Sequence, residues 1–289
     1  MSDRSGPPEE CNVKNIGSGL SAPHSRAMDT GETSRQGDHA LAARVRRGLH
    51  DGEFRVAFQP IIHAQTSRLS SIECLLRWQH PDYGLLLPGS FVQAFEDARA
   101  AREASYFVLE SACEQLRTMQ REGHPLPRVS INIQPSQLAD DELVTTIRET
   151  TQRYGIDPSH LELELVETAD ASKLLAISEI TDSLRQLGVR IAIDGFGSGY
   201  ASLAILSTTQ IDTIKLAREF MVRVPGSHRA CTVMSCVLDM LDKLAVTVVI
   251  EGVETEAQLR WLSRRAEVYA QGYHIARPQT KFAAAIALG

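Results

Sequence analysis

Leu161-Glu162-Leu163-Glu164-Leu165-Val166-Glu167 decides how this chain reads, because leucine and glutamate alternate strictly along it. Side chains alternate faces along a strand, whereas a helix would scatter the two sets around its circumference. Leu161, Leu163 and Leu165 therefore share one face, and Glu162 and Glu164 share the other. Such a strand needs an apolar layer on one side and partners for buried charge on the other.

The same device recurs outward in both directions. Toward the carboxy terminus, Arg190–Phe196 sets Asp194 against Ile191 and Ile193, and Thr213–Leu216 sets Lys215 against Ile214 and Leu216. Thr247–Val253 sets Glu251 against Val248 and Ile250, and Tyr269–Ile275 puts Gln271 one step from Ala270. Toward the amino terminus, Arg128–Ile133 sets Asn132 against Ile131 and Ile133. Ser71–Trp78 sets Glu73 against Ile72 and Cys74, and Val56–Ile62 is the first strand-like run. Helical patterns lie between them at Phe107–Arg121, Leu143–Tyr154, Ile177–Leu187, Val233–Leu244 and Ala257–Arg265.

Strands alternating with helices over this length fit a TIM-like barrel or a doubly wound open sheet. The link between the first two strands, containing Gln65, Thr66 and Ser67, is too short for a helical crossover, so that pair is predicted antiparallel. The polar sets favour closure. In a barrel the outer face packs on helices and must be apolar, so the polar set points to the axis. It falls late in each strand, at the mouth where barrel sites lie. The predicted class is α/β, a modified TIM-like (β/α)8 barrel with an antiparallel first strand pair.

Glu73, Glu164, Asp194 and Glu251 would then be buried together and need positive partners. Lys215 can neutralise one of them. A hard divalent cation suits the rest, with Asn132 as a neutral oxygen donor. Thiolate and imidazole are scarce in this set, which favours Mg²⁺ or Mn²⁺.

Bulk composition narrows the field. A net charge of -6 argues against a nucleic-acid surface, which would need a basic balance. The five cysteines form no CxxC pair, which fits a reducing, cytoplasmic location. No apolar run approaches a membrane span, and no signal peptide is expected at the amino terminus. Residues 1–38 are rich in Gly, Ser, Pro and charge and are expected to form a disordered tail, leaving 39–289 as the barrel domain.

FQPII (58–62), ECLLRWQHP (73–81), PGSF (88–91), INIQPSQL (131–138) and LELELVET (161–168) come first in a series of motifs. IAIDGFGSGYASL (191–203), IKL (214–216), VIEGVET (249–255) and QGYHIARP (271–278) complete it. In this order they resemble the motifs of EAL-domain proteins, the cyclic di-GMP phosphodiesterases and their non-catalytic relatives. The resemblance runs from about Leu41 to the carboxy terminus and implies cyclic di-GMP as ligand. It implies Glu73, Asn132, Glu164 and Asp194 as first-metal ligands, with Asp194 bridging two metals and Glu251 serving the second. Lys215 corresponds to a lysine near the attacking water, which makes Lys215, Glu251 and Asp194 the catalytic set. Gln59, Arg77 and Gln271 correspond to ligand-pocket residues, and Glu167 to a glutamate supporting the loop from Phe196 to Ser202. The resemblance also implies a homodimer, and control through a regulatory protein partner.

Three positions depart from the pattern. Cys74 stands where the family has alanine, Gly195 where it has a second aspartate, and Ala217 where it has another aspartate. Glycine offers no side-chain oxygen, so Gly195 weakens the second metal site. Two expectations follow: a phosphodiesterase slowed by Gly195, or a degenerate domain that binds cyclic di-GMP or a protein without turnover.

Overall fold

A computed structural model describes residues 30–166, 178–198, 203, 205–208 and 210–287. Its strands are β1 (Phe54–His63), β2 (Leu69–His80), β3 (Gly84–Leu86), β4 (Arg128–Ile133) and β5 (Leu161–Val166), then β6 (Arg190–Phe196), β7 (Thr213–Leu216), β8 (Thr247–Ile250) and β9 (Val268–Ala270). They hydrogen-bond in the order β1-β9-β8-β7-β6-β5-β4-β2-β3, and β1 also pairs with β2. That last pairing closes an eight-stranded barrel, with β3 left as a short hairpin on β2.

The expected antiparallel first pair is present, with Gln59 directly opposite Glu73. β1 is also antiparallel to its other neighbour, β9. All other barrel pairings are parallel. Leucine and isoleucine from the outer faces, among them Leu163, Leu165, Ile191 and Ile214, form the main apolar cluster with the helices.

The principal helices are Ala98–Arg121, Asp141–Tyr154, Ser178–Gln186, His228–Lys243 and Glu256–Leu262. The first begins well before the predicted Phe107. Asp97 caps it, accepting from Ala100 N at 2.9 Å, and its early turns bury Ala100, Ala101 and Ala104. Alanines signal a buried helical face only weakly, which hid this segment from the sequence pattern. A helix also runs over Thr30–His50, starting inside the segment read as a tail. Its buried anchors, Ala42 and Val45, fall where the apolar pattern begins.

That amino-terminal helix covers the back of the β1–β2 ribbon. Phe54 and Trp78 stack at 5.0 Å between ring centroids, and Phe91 meets Phe54 edge-on at 5.6 Å. Glu53 ties the layers, accepting from Trp78 Nε1 at 2.7 Å and from Arg44 Nη2 at 3.0 Å. With the even-numbered side chains Phe54 and Trp78 packed behind, the odd-numbered ones of this ribbon face the barrel mouth.

β6 carries a register shift. Ile193 pairs with Ile214 and Phe196 with Leu216, so Asp194 and Gly195 together oppose Lys215 alone. Gly195 is the extra residue of this bulge and takes φ +71°, a region open to glycine at little steric cost. The inserted residue restores Phe196 to the apolar cluster after Asp194 has turned inward.

Candidate active site

Each barrel strand delivers one polar side chain to the axis near the mouth: Gln59, Glu73, Asn132, Glu164, Asp194, Lys215, Glu251 and Gln271. Register places Asn132 beside Glu164 and Gln59 beside Glu73. Glu251 and Gln271 lie just past their strands, held by Glu251 N to Leu216 O at 3.1 Å and Gln271 N to Ile250 O at 2.8 Å.

Lys215 is the hub. Its Nζ lies 2.9 Å from Glu73 Oε2, 3.0 Å from Glu164 Oε2, 3.1 Å from Glu251 Oε1 and 3.8 Å from Asp194 Oδ1. Its side chain is only 1% exposed, and that of Glu164 is 0% exposed. Glu73 is the best-served carboxylate, receiving Asn132 Nδ2 at 3.0 Å and Gln271 Nε2 at 2.6 Å as well. Gln271 Nε2 also reaches Gln59 Oε1 at 3.3 Å, and Gln59 Nε2 donates to Ala276 O at 3.0 Å.

One lysine does not balance four carboxylates. Burial opposes ionisation of Glu73, but the Lys215 charge and its hydrogen bonds carry its pKa below the ordinary value. Glu164 goes the other way: burial, then repulsion from Glu73, push its pKa well above the carboxylate range. Burial raises Glu251 to about 7. Burial also works against the Lys215 charge, yet the surrounding carboxylates hold its pKa well above that of free lysine.

Glu164 Oε1 and Asp194 Oδ1 are buried without a hydrogen-bond partner, as is Gln271 Oε1. Buried orphan carboxylate oxygens are costly and call for a cation. Among the described residues no three acidic, histidine or cysteine side chains enclose a cation as they stand, and Lys215 Nζ holds the centre instead. The donors fit a hard divalent ion in kind, with carboxylate oxygens from Glu73, Glu164, Asp194 and Glu251, and Asn132 able to turn its amide oxygen inward.

Arg77 lies on β2 with the same parity as Glu73, four residues nearer the rim, and donates from Nη1 to Leu76 O at 2.8 Å. Beside the acidic well a cavity of about 250 Å³ opens, where Leu75, Phe91 and Phe95 approach Glu73, Asn132 and Asp194. Glu167 lies outside the described residues, as does the predicted loop beyond Ser198 up to Ser202. Ala217 is buried directly after β7 and contributes no oxygen from its side chain. The Cys74 thiol is raised by burial, first of all, and points away from the well into the apolar cluster.

The sequence pattern gave no role to the lower layer of the barrel. Glu162 accepts from Thr213 Oγ1 at 2.6 Å and from Arg190 Nε at 3.3 Å, while Arg190 Nη2 reaches Thr247 Oγ1 at 3.0 Å. This layer ties Glu162 to Arg190 and Thr213 below the well, while Arg128 Nε on β4 is buried without a hydrogen-bond partner. The shared parity of Glu162 and Glu164 was the available signal. Tyr273 and Arg277, stacked at 4.3 Å, stand at the rim after Gln271 and were likewise missed.

Residues 42–278 match the family model described as EAL domain. The cyclic di-GMP phosphodiesterase NbdA of Pseudomonas aeruginosa is 35% identical over 81% of this chain, which spans 30% of NbdA's length. An uncharacterized protein of Mycobacterium tuberculosis is 35% identical over 83% of this chain and 80% of its own length. Among solved structures, the MucR phosphodiesterase in complex with c-di-GMP superposes with a TM-score of 0.74 at 32% identity, covering 83% of this chain and 97% of that one. Among the described residues no helix is long and apolar enough to cross a membrane.

Proposed function

Because this chain belongs to the EAL domain family, we propose that it binds cyclic di-GMP at the barrel mouth and hydrolyses it, with a divalent metal, to the linear dinucleotide. The observation that carries this reading is the unbalanced well: four carboxylates around one lysine, with Glu164 Oε1 and Asp194 Oδ1 left without hydrogen-bond partners. A protein interaction scaffold has no use for such a well.

In this reading Glu73, Asn132, Glu164, Asp194 and Glu251 hold Mg²⁺ or Mn²⁺. When bound, the metal supplies an activated water and neutralises charge on the phosphoryl oxygens. The chain's own groups divide the remaining work. Lys215, held protonated in the metal-free well by the carboxylates around it, is placed to donate from Nζ to oxygen. Glu251, raised by burial to a pKa of about 7 in the metal-free well, gives up its proton near neutrality to take the cation. Asp194, on the bulge of β6, stands beside Lys215 on the neighbouring strand, 3.8 Å from its Nζ. Arg77 gives the ligand phosphate a planar, bidentate donor pair. Gln59 and Gln271 line the pocket, and the apolar cavity beside the well suits the flat face of a base.

Gly195 favours a second reading, that of a receptor which binds cyclic di-GMP without turnover. Calorimetric titration of cyclic di-GMP with Ca²⁺, then Mg²⁺ or Mn²⁺ with chromatography of the nucleotide, separates the two. Binding followed by conversion to the linear dinucleotide establishes the enzyme. Binding without conversion establishes the receptor, and no binding under either metal sinks both. The proposal extends to a cytoplasmic homodimer controlled by a partner protein; a monomeric mass by light scattering at micromolar concentration would count against the dimer.

A further inference from the structure

Arg55 and Arg77 stand directly opposite one another across the antiparallel β1–β2 ribbon. Opposed residues project to the same face, with Cβ atoms about 5 Å apart, and like charges in that position repel. The face is the one toward the mouth, because Phe54 and Trp78, one step away on each strand, are stacked behind it. The two arginines lie four residues along from the Gln59–Glu73 pair, about 13 Å nearer the rim as measured on the backbone, and the Arg77 guanidinium still feels the Glu73 charge.

Neither arginine has a carboxylate within ion-pairing distance among the described residues. Arg55, which is exposed, rests Nη1 on Gly52 O and Phe54 O, each at 2.6 Å, and Arg77 rests on Leu76 O. Arg277 adds a third cation at this rim, stacked on the half-exposed Tyr273 ring, which lies close enough to Arg77 to influence its charge. The mouth is thus layered, with negative charge at depth and unpaired positive charge above.

A ligand with one phosphate fits only one of these layers. A cyclic dinucleotide carries two phosphates on a single ring, one to lie at the carboxylate well with metal and one to remain above it. We propose that Arg55, together with Arg77, forms a clamp for the second, uncleaved phosphate of the dinucleotide. This rests on the cyclic di-GMP reading above. Two arginines on directly paired positions gain an anionic partner when a phosphate settles between them, since each guanidinium offers a planar pair of donors. Lysine at position 55 would supply charge without the fork.

The test is calorimetry in Ca²⁺ on the full chain, comparing parent, Arg55→Ala and Arg55→Lys with cyclic di-GMP and with guanosine monophosphate. The expected result is a loss of about tenfold or more in cyclic di-GMP affinity for Arg55→Ala, with a flatter salt dependence. Arg55→Lys should recover part of that loss. Guanosine monophosphate, whose one phosphate is taken by the well, should bind all three alike, and the thermal midpoints should match because Arg55 is exposed. If the parent binds cyclic di-GMP and Arg55→Ala binds it equally well, the clamp is wrong while the functional reading stands. An equal loss for both nucleotides also overturns it. If the parent binds no cyclic di-GMP, the clamp falls together with the reading it rests on.

Discussion

Glu73 and Lys215 come from strands on opposite sides of the barrel, β2 and β7, yet meet at 2.9 Å on its axis. The ion pair spans the whole well, so the lysine acts as the cross-brace of the mouth as well as its counter-charge.

Lys215→Met should therefore destabilise the metal-free protein by about 3–5 kcal/mol, because it leaves buried carboxylates facing one another. Adding Mg²⁺ or Mn²⁺ should restore more stability to the variant than to the parent. Denaturant midpoints in chelator and in metal check both parts; equal metal effects on the two proteins would show that Lys215 and the cation do not share a site.

Gly195→Asp should raise hydrolysis if a missing second-metal oxygen limits it. It should also cost about 1 kcal/mol of stability, since the bulge requires φ +71° there. Space is not the obstacle, because the nearest atom to an added Cβ is Ser198 Oγ at 3.7 Å. Urea unfolding and product chromatography on one preparation would read both effects; a stable variant with unchanged turnover removes Gly195 from the account of activity.

The raised carboxyls fix the direction of a pH effect. Glu251 titrates at about 7 in the folded chain and near 4.5 when unfolded, so between these values the folded state holds the extra proton. Its contribution to metal-free stability is thus full below about pH 4.5 and lost as pH rises through about 7. Glu164 contributes with the same sign. A divalent cation needs both groups ionised, so the rise in melting temperature produced by Mg²⁺ or Mn²⁺ should grow from about pH 5 to about pH 8. A metal effect independent of pH across that window would contradict the proposed ligand set.

Trp78→Ala should cost about 3–5 kcal/mol, through the cavity left against Phe54 and Phe91 and the loss of the donor to Glu53. Arg77 is its chain neighbour, so weaker cyclic di-GMP binding should accompany the loss. Chemical denaturation and calorimetry at a temperature where the variant is folded would measure the two effects separately.

Much of this site was legible because barrel closure turns a period of two into an inside and an outside. Glu164, Asp194 and Lys215 could be placed on one axis from the isoleucines and leucines beside them. Distances could not be read that way, and neither could the central position of Lys215, which depends on how eight strands tilt and stagger together. The bulge at Gly195 was also hidden. A glycine in a strand can mean weakness or an extra residue, and only the pairing of Phe196 with Leu216 tells which. Arg55 escaped notice because its partner lies 22 positions away and is joined to it only by hairpin register.

The reversed run of β1 has a topological consequence. In a barrel of parallel strands the chain comes in underneath, far from the ligand. Here β1 runs against both neighbours, so Phe54 is at the top and the helix Thr30–His50 leads in over the same rim that carries Arg55 and Arg77. From that helix a single strand leads from Arg55 to Gln59, with no crossing of the barrel. The lead-in helix is thus joined directly to the strand that carries Gln59 into the acidic well.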